Sequence, residues 1–129
     1  MSRLVLATAI LIGAAAPARA ADDPLLRARL LYNQRQFEAA VSAAEQARLT
    51  PARADLADLV AARAYLEQFR LSVMSADLTN ARDRLRRIDP LRFAPRERAE
   101  YVVGLGETLF FDGAFGAAAA VFESVLQSR

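Results

Sequence analysis

The chain has 129 residues, with 17 Arg, no Lys and 15 Asp plus Glu, and it contains no Cys, His or Trp. That length suits one small domain, and the missing residue types take away the usual ligands and nucleophile–base partners of zinc, haem and triad chemistry. The formal charge of +2 comes from the first twenty residues: without Arg3 and Arg19, 15 Arg face 15 acids, so the basic pI argues nothing for nucleic acid.

The N-terminus has the order of a secretory signal peptide, spanning residues 1–20. Met1-Ser2-Arg3 is a short basic start, Leu4 to Ala16 is apolar apart from Thr8 and Gly13, and Ala18-Arg19-Ala20 offers small residues two apart before Asp22-Asp23. The expected mature chain begins at Ala21; the competing reading is a buried N-terminal helix. The apolar run is well short of the roughly 20 residues of a membrane span, so no permanent anchor is expected, and no Cys is present to carry a lipid. These features imply a periplasmic or secreted protein held together by its core alone.

Alanine occurs 29 times. It is the strongest helix former, and no segment alternates apolar and polar residues in the manner of a strand. Six helices are predicted after the leader. The first runs from Pro24 to Gln34, opened by Asp23-Pro24, with Leu26, Leu30 and Leu31 at helical spacing. The second runs from Phe37 to Arg48, with Phe37, Ala40, Val41, Ala44 and Ala47 as its stripe. The third, from Pro51 to Phe69, follows Thr50-Pro51 and carries Leu56, Leu59, Val60, Tyr65 and Leu66. The fourth runs from Asp77 to Ile88. The fifth, from Pro95 to Phe111, has Glu97 in its first turn, where a carboxylate favours the helix dipole. The sixth runs from Ala114 to Gln127.

Within the last two helices Leu105-Gly106, Leu109-Phe110, Gly113, Phe115, Ala118 and Phe122 fall where two short antiparallel helices need them to pack. That spacing resembles the tetratricopeptide repeat. Aligning the chain with itself pairs Phe37 with Phe115, Ala40 with Ala118 and Ala47 with Val125, and it sets Tyr65 34 residues after Leu31. The resemblance covers Asp23 to Ser128 and is sharpest in the third pair. The first pair has Arg27-Ala28 in place of Leu-Gly; the middle pair keeps only the closing Asp89-Pro90. Phe37 and Phe115 lie ten residues further apart than two ideal repeats. The surplus is assigned to a long middle turn, Arg70 to Ala76, and a link, Leu91 to Ala94. The fold expected for residues 21–129 is therefore all-α: an array of about three helix-turn-helix pairs, in a right-handed superhelix as the family implies, stacked because no pair can bury its own apolar face.

The resemblance implies a groove for an extended peptide or a partner helix. It would be lined by Arg29, Tyr32 and Asn33 of the first helix, Arg63, Leu66 and Glu67 of the third, and Val103, Glu107, Phe110 and Phe111 of the fifth. The plainer alternative is a mixed surface, with Tyr32 and Phe110 in the core. The family's clamp for C-terminal carboxylates is not implied, since Leu25, Val60, Gly104 and Glu100 stand at most of its places. Val121, Phe122, Val125 and Leu126 form a face that lacks a polar capping helix, so it is expected either to meet further repeats or to self-associate. The Arg-rich stretch Arg82, Arg84, Arg86, Arg87, Arg92, Arg96 and Arg98 is interleaved with Asp83, Asp89, Glu97 and Glu100. It is read as a solvated face, with pairs such as Asp83 and Arg87 neutralising each other. Asp55 and Asp58 are read in the same way. No Gly-rich phosphate loop or catalytic set is found, and no cofactor is expected. The sequence points to a non-enzymatic protein-interaction scaffold with a protein or peptide partner. Its alternative is a self-assembly module acting through the last helix.

Overall fold

The computed structural model describes residues 22–128; the predicted leader and its cleavage site lie outside them. Among the described residues there are six α-helices and no strand. They are α1 (Pro24–Asn33), α2 (Phe37–Ala47), α3 (Ala54–Ser72), α4 (Ser75–Arg86), α5 (Pro95–Phe111) and α6 (Phe115–Gln127). Short 3-10 turns at Pro51–Arg53 and Pro90–Arg92 lead toward α3 and α5. No described helix is long and apolar enough to cross a membrane.

Local chemistry accounts for the helix starts. Asp23 caps α1: its Oδ1 accepts from the backbone N–H of Leu25 at 3.1 Å and of Leu26 at 3.3 Å, with Pro24 in the first turn. Hydrogen bonds to this carboxylate, first from Arg53 and then from the Leu26 amide, hold Asp23 below its ordinary pKa. Asp89 caps the second 3-10 turn, accepting from Leu91 N–H at 3.1 Å. Arg98 fastens that turn to α5, donating to the carbonyls of Pro90 and Phe93 at 3.3 and 3.2 Å.

Each turn inside a helix pair needs one left-handed residue. Arg35 has φ 61°, Val73 φ 56° and Gly113 φ 79°. The first and third turns also share a hydrogen-bond pattern: Gln36 N–H reaches Leu31 C=O at 2.9 Å, and Ala114 N–H reaches Leu109 C=O at 2.9 Å. The middle turn differs, and it corrects the expectation of a long loop from Arg70 to Ala76. Only Val73 and Met74 separate α3 from α4. The surplus residues extend α3 to Ser72 and start α4 at Ser75, because added helix satisfies its own backbone groups and a long loop does not.

Successive helices pack as neighbours: α1 with α2, α2 with α3, α3 with α4, α4 with α5 and α5 with α6. In addition α1 meets α3 and α3 meets α5, whereas no comparable contact joins α2 to α4 or α4 to α6. The helices therefore pack more closely on the side of α1, α3 and α5 than on the side of α2, α4 and α6. The core is built of small residues where helices approach closely. Ala28, Ala43, Ala44, Ala47, Ala57 and Ala61 form one buried group with Leu25, joining α1, α2 and α3. Leu59, Ala62, Leu85, Ile88 and Phe93 form a second, joining α3 and α4 to the approach of α5. Leu66 belongs to a third with Leu78 and Ala81 and is only 1% exposed, so it is core and not a groove residue.

The gap between α2 and α4 is bridged by charge. Asp58 on α3 is 1% exposed, which overturns its reading as a solvated carboxylate. It lies 3.0 Å from Arg48 Nε, beyond the end of α2, and 3.1 Å from Arg84 Nη1 on α4; Arg87 follows at 4.0 Å. Arg84 also pairs with Glu45 of α2. Burial acts to lower the Arg84 guanidinium pKa, but the hydrogen bonds to Asp58 and Glu45 outweigh it and leave it raised. The Arg-rich stretch is thus not one solvated face: Arg84 is turned inward, Arg87 reaches toward Asp58, and the helical partner of Asp83 is Arg86 at 3.6 Å.

Candidate functional site

The three helices α1, α3 and α5 lie side by side, and their shared surface carries a pocket of about 310 Å³. Arg29, Tyr32 and Asn33 line it from α1; Leu56, Leu59, Val60 and Arg63 from α3; Arg96, Glu97 and Glu100 from α5. Four of the residues expected in the groove thus meet in one place: Arg29, Tyr32, Asn33 and Arg63.

The local folding explains how they converge. Arg29 and Asn33 are one turn apart on α1, as are Arg63 and Glu67 on α3. Tyr32 is wedged at the end of α1, its ring edge-on to Phe37 with centroids 5.5 Å apart. The Arg63 guanidinium lies 5.2 Å from the Tyr32 ring centroid and also pairs with Glu100 at 3.3 Å. Glu100 is shared, for Arg96 approaches its other oxygen at 3.6 Å. Burial raises the Tyr32 phenol above its ordinary pKa, so it is a neutral donor at neutral pH. Glu97 has one carboxylate oxygen shielded from solvent without a hydrogen-bond partner, and Arg29 makes no ion pair among the described residues. A carboxylate oxygen in that position favours an incoming donor.

Glu67, Glu107 and Phe111 do not line this pocket. They form a second cluster further along α3 and α5. Arg70 sits between Glu67 at 3.8 Å and Glu107 at 3.4 Å, with its guanidinium 5.7 Å from the Phe111 centroid. Phe111 packs edge-on to Phe69 at 4.9 Å. Burial raises the Glu107 pKa above 4.5, and Arg70 and Arg63 only partly offset this. Of the remaining residues, Val103 is half-buried and Phe110 is 51% exposed, beside Phe115 at 5.2 Å.

Sequence reasoning did not bring Arg96, Glu97 and Glu100 to this pocket. They occupy the first two turns of α5. The Ala94-Pro95 start was the available signal: it shows that α5 begins early enough to bring those turns beside α3.

On the last helix, Val121 and Val125 are half-buried and Leu126 is 64% exposed. Phe122 turns toward α5, where its ring covers Gly106: a Cβ there would come within 2.5 Å of Phe122 Cε1. Comparison with protein-family models, curated proteins and solved structures finds no match for this chain.

Proposed function

We propose that the protein is an exported, tetratricopeptide-like helical repeat scaffold that binds an extended segment of a partner protein along α1, α3 and α5. The observation that carries this reading is the pocket of about 310 Å³, which brings four expected groove residues from two different helices together with three more from α5. A pocket of that size accepts one anchoring side chain and its flanking backbone. Asn33 and Tyr32 offer hydrogen bonds to a peptide backbone. Arg29 attracts a carboxylate, and the unpartnered oxygen of Glu97 takes an amide or ammonium donor.

The repeat reading is supported by the matching first and third turns, by the contacts of α1 with α3 and α3 with α5, and by Phe122 over Gly106. Export is supported by the basic, apolar and small-residue order of residues 1–20. A periplasmic or cell-envelope setting follows from that export.

The test is selection of binders from a random peptide library, followed by calorimetry with the enriched peptides. Arg29→Glu and Asn33→Ala should each weaken binding at least tenfold, because both side chains are exposed at the pocket and leave the core intact. Failure to enrich any sequence, or peptides whose affinity ignores both substitutions, would defeat the reading.

A further inference from the structure

The two ends of the helix set are complementary. The chain's own alignment pairs Phe37, Ala40, Ala43, Ala44 and Ala47 of α2 with Phe115, Ala118, Val121, Phe122 and Val125 of α6. All five residues on α2 are buried, whereas only Ala118 is buried on α6. Phe37 is 7% exposed and its counterpart Phe115 is 60% exposed. The cause is visible: α3 lies on α2, with Ala57, Ala61 and Ala64 set into the α2 face. Among the described residues no helix lies on α6 in that way.

The opposite face is found at α1. A shift of 34 residues carries Arg27 and Leu30 onto Ala61 and Ala64, two of the residues with which α3 covers α2, and Leu26 onto their neighbour Val60. Leu26 and Leu30 are 41% and 42% exposed and one turn apart. The face that should receive them is apolar and incompletely covered, since Phe115 is exposed and Val121 and Val125 are half-buried. Charge points the same way: α1 carries Arg27 on that side and contains no acid, and α6 contains Glu123 and no base. A two-fold pairing of α6 with α6 would bring like charges together, whereas α1 on α6 brings opposite ones.

We propose that the protein stacks head to tail, with α1 of one copy seated on α6 of the next as α3 sits on α2 within a copy. This is a heterologous contact, so it propagates and does not stop at a dimer. It depends on the pairing of helices and not on the peptide-binding reading. It would, however, continue the α1–α3–α5 surface from copy to copy.

The experiment is light scattering on size-separated protein, exported from a bacterial host and followed across a concentration series. The expected result for the natural sequence is a mass that rises reversibly with concentration beyond that of a dimer. Leu126→Glu and Leu30→Glu should each reduce association at least tenfold, leaving monomers with an unchanged helical circular dichroism spectrum. Mixed in equal amounts, the two variants should form a one-to-one dimer and go no further, because each retains one intact face. Leu26→Glu serves in place of Leu30→Glu should the latter lose helicity. A natural-sequence protein that is monomeric throughout would overturn the proposal. So would variants that fail to complement each other, or a Leu30→Glu protein that associates as well as the natural one, which would indicate pairing through α6 alone.

Discussion

Two glycines on one helix should respond in opposite ways to the same substitution. Gly104 and Gly106 are both buried on α5. A glycine inside a helix costs about 0.5–1 kcal/mol relative to alanine, because the unfolded chain has more freedom to lose. At Gly104 a new Cβ would meet Leu85 at 3.5 and 3.7 Å, ordinary contact distances. Gly104→Ala should therefore keep the full gain and raise stability by about 0.5–1 kcal/mol. At Gly106 the same methyl would lie 2.5, 2.8 and 2.8 Å from three ring atoms of Phe122. The ring must leave its seat, and overpacking of that kind costs about 1–3 kcal/mol. The helix gain offsets part of this, so Gly106→Ala should fall about 1–3 kcal/mol below Gly104→Ala. In a domain of this size about 1 kcal/mol moves the thermal midpoint by about 4–8 °C, which calorimetry resolves readily. Phe122→Leu supplies the control, for in its background Gly106→Ala should lose most of its cost. A double-mutant cycle should then show coupling of about 1 kcal/mol or more. If Gly106→Ala matched Gly104→Ala in stability, the close packing of α5 on α6 inferred from Phe122 would be wrong.

Val73 holds a left-handed conformation with φ 56° and is 73% exposed, so Val73→Gly relieves strain without opening a cavity. It should stabilise the protein by about 1 kcal/mol in urea unfolding, and Gly113→Ala at φ 79° should cost a similar amount. Asp58→Asn removes the charge that Arg48 and Arg84 share at 3.0 and 3.1 Å and should cost about 3 kcal/mol, measured as a lower urea midpoint at an unchanged slope. For Glu107, burial raises the folded pKa above 4.5, so the ionised side chain weakens the folded state at neutral pH and ceases to do so once it is protonated in both states. Glu107→Gln should therefore raise the thermal midpoint at pH 7, with the gain shrinking as pH falls through the folded pKa and gone well below pH 4.5. A gain that persisted in acid would show that burial of the charge is not its source.

Much of the fold was legible because it rests on periodicity and punctuation. Pro24, Pro51 and Pro95 each lie at or just before a helix start, and the stripes through Ala40, Ala44 and Ala47 and through Leu59 and Leu66 face the core as read. Arg70 to Ser72 was misread because polar or mixed residues near a helix end look like a loop. Backbone hydrogen bonding decides the matter there, and propensity does not. Asp58 could not be read correctly from spacing, since a buried carboxylate differs from a solvated one only by its partners. Those partners lie 10 to 29 residues away on other elements, at Arg48, Arg84 and Arg87. The lining of the pocket was half legible for a related reason. Arg29, Tyr32, Asn33 and Arg63 are among the residues that the resemblance implies for a groove. Arg96, Glu97 and Glu100 enter from the first two turns of α5, where interleaved charges read as a solvated helix face.

The difference between α2 and α6 shows why two helices of like sequence must be judged by their neighbours. Their sequences align residue for residue at Phe37 and Phe115 and at Ala40 and Ala118, and both open a helix after a left-handed turn. Intrinsic preference cannot separate them, yet α2 buries an aromatic ring that α6 leaves exposed. Covering Phe115, Val121 and Val125 to the extent of their α2 counterparts would remove apolar surface worth about 25 cal/mol per Å². The same surface left open favours association. Leu26 and Leu30 at the other end carry the same unspent driving force on a helix of opposite charge. A unit with one such face would close into a pair, but a unit with two unlike faces extends. The stability of the terminal helices should then depend on protein concentration while that of α3 does not, a difference that amide hydrogen exchange can resolve helix by helix.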